Sequence, residues 1–135
     1  MPELISDLDE LFHLLNPYLH EGTFAYSSVP IGTDLSAISV VGTFREEEGL
    51  TIILEESEAE NAGFPILFRA AWITFTVSSA FEAIGMTAAF STALGNAGIS
   101  CNVVAGARHD HVFVPIDRGG DAMDVLRHLS RSGPQ

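Results

Sequence analysis

TAAFSTALGNAGISCNVVAGARHDHVFVPI, running from Thr87 to Ile116, is the stretch whose reading decides the fold. Phe90, Ala93, Leu94 and Ala97 fall on one stripe at helical spacing, and Gly98 is placed to stop the helix. The pattern predicts a helix over Met86–Ala97. ISCNVVA (Ile99–Ala105) then reads as a strand, GARHD as a turn, and HVFVPI (His111–Ile116) as a second strand. Upstream, WITFTV (Trp72–Val77) alternates, with Ile73, Phe75 and Val77 on one side and Trp72, Thr74 and Thr76 on the other. SSAFEAIG reads as a loop after this strand. Downstream, Ala122, Val125, Leu126 and Leu129 mark a last helix, and RSGPQ a frayed tail. The order β-α-β-β-α is that of the ferredoxin-like split βαβ plan. That plan needs a fourth strand, and the short polar tail cannot supply it. The strand must come from the N-terminal half or from another chain.

The first half offers similar pieces in a permuted order. Ser6, with Asp9 three positions later, can cap a helix whose apolar face is Leu8, Leu11, Phe12 and Leu15. Pro17 ends it. TFAYSSV (Thr23–Val29), AISVVGTF (Ala37–Phe44) and LTIILE (Leu50–Glu55) are β-rich, and Glu56–Gly63 suits one or two helical turns. Pro65 and Arg69 interrupt the apolar segment between Gly63 and Trp72. No low-complexity linker separates the halves, so they are expected to share one sheet. The expected fold class is α+β: a mostly antiparallel sheet with helices on one face, divided into residues 1–63 and 64–135.

The 135 residues suit one compact unit, and 47% apolar content is enough for a core. A single cysteine rules out an internal disulfide framework and implies a reducing, cytoplasmic setting. MPELISDLDEL opens with acids rather than with a basic, then apolar, leader. No apolar run approaches the roughly 18 residues of a membrane helix. The net charge is −12, and all six basic residues are arginine. Without lysine there is no Schiff-base chemistry and no P-loop. Nucleic acid and anionic membrane are poor partners for so acidic a chain. The acids concentrate in Arg45–Glu60, which reads as a solvated surface protecting a sheet edge.

The reactive residue types of the opening stretch have plain readings. Cys101 lies mid-strand between Ile99 and Val103, where cysteine is usually a small buried hydrophobe. His109 and His111 share a strand face with Asp110 opposite, but a zinc site needs a third or fourth ligand, which the spacing does not demand. An enzyme built on Cys101, His109 and Asp110 is the minority alternative. Ser78 and Ser79 lack the spacing of a hydrolase elbow, and the glycines lack the order of a dinucleotide loop. No catalytic residue, cofactor or metal is therefore assigned.

The same stretch, together with FREEEGLTIIL and FRAAWITFTV, resembles the ACT domain family. In particular it resembles small stand-alone bacterial proteins with two ACT-like halves, and the regulatory domains of aspartate kinases. Gly98, Ile99 and Ser100 stand at the start of the family's characteristic strand. Ser100 replaces its usual asparagine, with Asn102 two residues on. The resemblance implies a regulatory module that binds a small molecule, often an amino acid, forms homodimers and performs no chemistry. It directs attention to AIGMTAAF (Ala83–Phe90). Gly85 permits close backbone approach there, and the amides of Met86 and Thr87 open a helix, a natural seat for a carboxylate. Asn102 and Val103, on the returning strand, complete the expected ligand site. The alternative is a structural homodimerisation module without ligand.

Overall fold

The computed structural model describes residues 15–75 and 84–132. The elements are β1 (Tyr18–Leu19), β2 (Phe24–Val29), β3 (Val40–Glu46), β4 (Gly49–Glu55), α1 (Glu56–Ala62) and β5 (Phe68–Phe75). They continue with α2 (Ile84–Asn96), β6 (Asn102–Ala105), β7 (Asp110–Pro115), a 3-10 turn (Ile116–Arg118) and α3 (Gly119–Ser132). All seven strands join one antiparallel sheet in the order β3-β4-β2-β5-β7-β6, with β1 added beside β5.

β5 is the strand both halves use. Along one edge it pairs with β7 from Ala70 to Phe75. Along the other it takes two partners in turn: Phe68 and Ala70 face Tyr26 and Phe24 of β2, then Ile73 and Thr74 face Leu19 and Tyr18 of β1. The strand missing after the last helix is thus supplied by the N-terminal segment of the same chain.

Alternation along β5 divides the sheet into two faces. Ala71, Ile73 and Phe75 pack with Met86, Phe90 and Leu94 of α2, with Val112 and Val114 of β7, and with Ala122, Leu126 and Leu129 of α3. A second cluster, Ala25, Val29, Ile52, Leu54 and Ala59, lies under α1, with Leu35 and Ile38 packed against it. These side chains share the helix-covered face. The fold is therefore α+β and ferredoxin-like, with its helices on one side.

Several boundaries differ from the sequence reading. β5 starts at Phe68 and runs through Arg69, because that side chain leaves the sheet margin to meet Glu56 at 3.4 Å. β3 starts at Val40, since the chain before it is turned, with Ile38 N bonded to Leu35 O at 3.0 Å. β6 is shorter than expected. Ile99 still belongs to the helix exit, donating to Leu94 O at 2.9 Å past Gly98, whose φ is 75°. α2 begins two residues earlier than its apolar stripe indicated, at Ile84. The helix expected before Leu15 and the end of the Trp72–Val77 strand lie outside the described residues, as do residues 78–83 of the loop expected over 78–85, whose last two residues, Ile84 and Gly85, are helical. Leu15 itself is fully buried.

Candidate functional site

The helix-free face of the sheet is aromatic. Tyr26, Phe68, Trp72 and Phe113 come from β2, β5 and β7 and meet side by side. Tyr26 lies edge-on to Phe68 at 5.6 Å and to Phe113 at 5.7 Å, while Trp72 lies nearly parallel to Phe113 at 6.0 Å. Phe24 stands edge-on to Trp72 at 5.2 Å. Cross-strand aromatic pairs of this kind bury area and hold register. Their rings also cover one another, so Phe113 is only 2% exposed on a face that carries no helix.

His20 completes the group. It follows β1, where its backbone N–H still bonds to Trp72 O at 2.9 Å, and its ring stacks flat on the indole at 3.5 Å. His20 Nε2 lies 2.7 Å from Thr74 Oγ1, which is 3.0 Å from His111 Nδ1. Trp72 Nε1 donates to that same nitrogen at 3.1 Å. Burial, followed by the charge of the other histidine, pushes the imidazole of His20 below its ordinary value. His111 is pushed down by burial and by His109, with Asp110 acting the other way.

Beside this wall the chain leaves β5 between β1 and β2, and an open pocket of about 490 Å³ results. Trp72, His20 and Phe24 line one side and the start of β3 another; Glu21, Glu55 and Glu58 carry its carboxylates. Glu58 accepts from Ser39 N at 3.2 Å. The pocket therefore offers an apolar aromatic wall opposite a negative rim, a layout suited to a small molecule with an apolar body and an amino group.

The residues singled out from the sequence are not brought into one pocket. Met86 is fully buried in the core between sheet and helices, because it continues the apolar stripe of α2. Asn102 lies across from Phe113 and beside the Tyr26 phenol, so its side chain belongs to the aromatic face, on the far side of the sheet from α2. Val103 pairs with Val112 and stays 37% exposed. Gly85 is exposed and Thr87 half-buried in the first turn of α2. Cys101 is half-buried against the core, and burial pushes its thiol up. Asp110 is buried on the helix side while His111 faces the aromatic side, and His109 sits in the turn before β7. Among the described residues no group of three His, Cys, Asp or Glu stands close enough to hold a metal ion.

Sequence reasoning marked His111 but not its partners. His20 and Trp72 are distant in sequence, and only the pairing of β1 with β5 joins them. The one available signal was Trp72 and Thr74 on the non-core side of an alternating strand.

One antiparallel sheet carrying two α+β halves, with its helices on one face, defines an ACT-like fold, a class of domain that is generally regulatory and binds small molecules. The chain belongs to the ACT domain family: ACT-domain models match residues 5–71 and 67–128. The two matches overlap at the start of β5, the strand the halves share. A Vibrio cholerae protein of unknown function, described as a possible transport protein, is 38% identical over 94% of this chain and 98% of its own, with a TM-score of 0.84. The regulatory subunit of aspartate kinase from Thermus thermophilus is 11% identical over 85% of this chain and 97% of its own, with a TM-score of 0.67, a likeness of fold. An Agrobacterium tumefaciens protein is similar at 17% identity over 84% of this chain and 87% of its own, with a TM-score of 0.61. No curated protein matches the chain. No helix among the described residues is long and apolar enough to cross a membrane.

Proposed function

We propose that this protein is a cytoplasmic, non-catalytic regulatory module that binds an amino acid and acts as a homodimer. The observation that carries the ligand reading is the pocket between β1, β2 and the start of β3. Its carboxylates, Glu21, Glu55 and Glu58, suit an ammonium group, and the wall of His20, Trp72 and Phe24 suits an apolar side chain. Dimerisation is supported by the β6 edge, whose four residues Asn102–Ala105 are all exposed and uncharged. The first turn of α2, with Gly85 and Thr87, is a second candidate for the ligand carboxylate, apart from Asn102 and Val103 of β6.

The test is thermal unfolding in the presence of each common amino acid in turn. A binder raises the midpoint as its concentration rises. Glu58→Gln should then weaken the response if the pocket is the site, and Gly85→Val if the turn of α2 is. A screen without a single stabilising amino acid would refute the ligand reading. Stability that rises with protein concentration alone would then favour a purely structural dimer.

A further inference from the structure

The wall of the pocket is held by a directional chain of hydrogen bonds. An indole N–H donates and never accepts. Trp72 Nε1 lies 3.1 Å from His111 Nδ1, so that nitrogen is the acceptor and carries no proton. Thr74 Oγ1, 3.0 Å from the same nitrogen, turns its hydroxyl proton towards it. The lone pairs of Thr74 are then free to receive Nε2–H of His20 at 2.7 Å. Protons thus point from His20 to Thr74 to His111, and from Trp72 to His111. The two ends of the chain, Trp72 and His20, are the stacked rings that wall the pocket.

We propose that His111 Nδ1 is a proton-operated latch for this wall: bare, it fixes the Trp72 indole and, through Thr74, the His20 ring; protonated, it releases the indole. A proton on Nδ1 would face the indole N–H, leaving two donors head to head and Trp72 without its acceptor. The hydroxyl of Thr74 would have to swing round as well. The consequence for ligand binding rests on the pocket being the ligand site; the latch itself does not.

The surroundings favour the bare state. Among the described residues the titratable groups around His111 are His109, ring to ring at 6.5 Å, His20 through Thr74, and Asp110 on the opposite face of β7. Around His20 stand Tyr18, edge-on at 4.7 Å, and the carboxylates of Glu21, Glu55 and Glu58. Among the described residues β5 contributes the neutral Trp72 and Thr74, and β6 contributes Asn102 and Val104. Burial and His109 outweigh Asp110 at His111. Gly106 closes over the ring: a β-carbon there would sit 3.3 Å from His111 Nε2.

Trp72 is the only tryptophan, so its emission reports the latch without any ligand. On lowering the pH from about 8 to about 5, across the range where histidine titrates, the full-length chain should show one red shift with quenching. Its midpoint should lie below that of an exposed histidine. In His111→Asn the amide oxygen can replace Nδ1 as acceptor and does not titrate, so the emission should stay at its neutral-pH form throughout. His20→Gln should keep the transition. If His111→Asn does not fold, nitrogen chemical shifts of the His111 ring in the unaltered protein decide instead: at neutral pH Nδ1 must be the unprotonated nitrogen. A flat emission profile, an unchanged transition in His111→Asn, or a proton on Nδ1 at neutral pH would each overturn the latch. With the transition present and abolished in His111→Asn, the latch stands even if no amino acid binds, so its failure and that of the ligand reading are separable.

Discussion

Ser27 shows how much a single residue can be left to bear. It is 1% exposed, and its hydroxyl has no hydrogen-bond partner among the described residues. Its neighbours along β2, Ala25 and Val29, belong to the apolar cluster under α1. An unpaired buried hydroxyl is costly, and removing it leaves only a small volume change. Ser27→Ala should therefore stabilise the protein, by about 1 kcal/mol, as measured by urea unfolding at neutral pH. Cys101 makes the opposite case: half-buried against the core, with a thiol that burial pushes up, it should react slowly with iodoacetamide at neutral pH. Cys101→Ser should lower stability by about 1 kcal/mol through the cost of burying a hydroxyl. The sequence placed Cys101 in a strand between apolar neighbours, whereas the structure sets it just before β6, half-buried against the core; nothing in the sequence showed that Ser27 would lack a partner among the described residues.

The hairpin joining β3 and β4 depends on its first residue after the turn. Glu46 pairs with Gly49 across the Glu47–Glu48 turn, and Gly49 has a φ of 156°. A β-carbon there would lie 2.9 Å from the carbonyl oxygen of Val29 in the next strand. Gly49→Ala must move backbone, so it should cost about 2 kcal/mol and lower the thermal midpoint with no change in spectroscopic β content. The sequence reading identified this turn as charged and edge-protecting, and β3 is indeed an edge strand. It did not reveal that the glycine abuts β2, because that contact joins strands whose pairing the local pattern leaves open.

At the scale of the whole molecule, both halves depend on β5. A fragment of residues 64–135 would leave one edge of β5 unpaired and expose the surface that β1 and β2 cover, so it should show no cooperative unfolding transition by circular dichroism. Stability should also depend on pH. His20 and His111 are held below their ordinary value of 6.5, so the folded protein refuses protons that the unfolded chain accepts. Their contribution is complete above pH 6.5 and drains away as the pH falls through the window beneath it. Asp110, pushed up from 3.8, works in the opposite sense at lower pH. Urea midpoints should therefore fall between neutrality and about pH 5, and fall less in His111→Asn. What the sequence by itself determined was the type of most of the longer elements and the core side of β5 and α2. Apolar spacing of two or about four residues is a local property, legible at Ile73 and Phe75 or at Phe90 and Leu94. Only the tertiary structure decided which strand completes the C-terminal half and that His20 meets Trp72. It also turned Asn102 away from α2. Strand pairing joins distant segments, and a strand has two faces; until its partners are known, the side chains not committed to the core have no assigned neighbours.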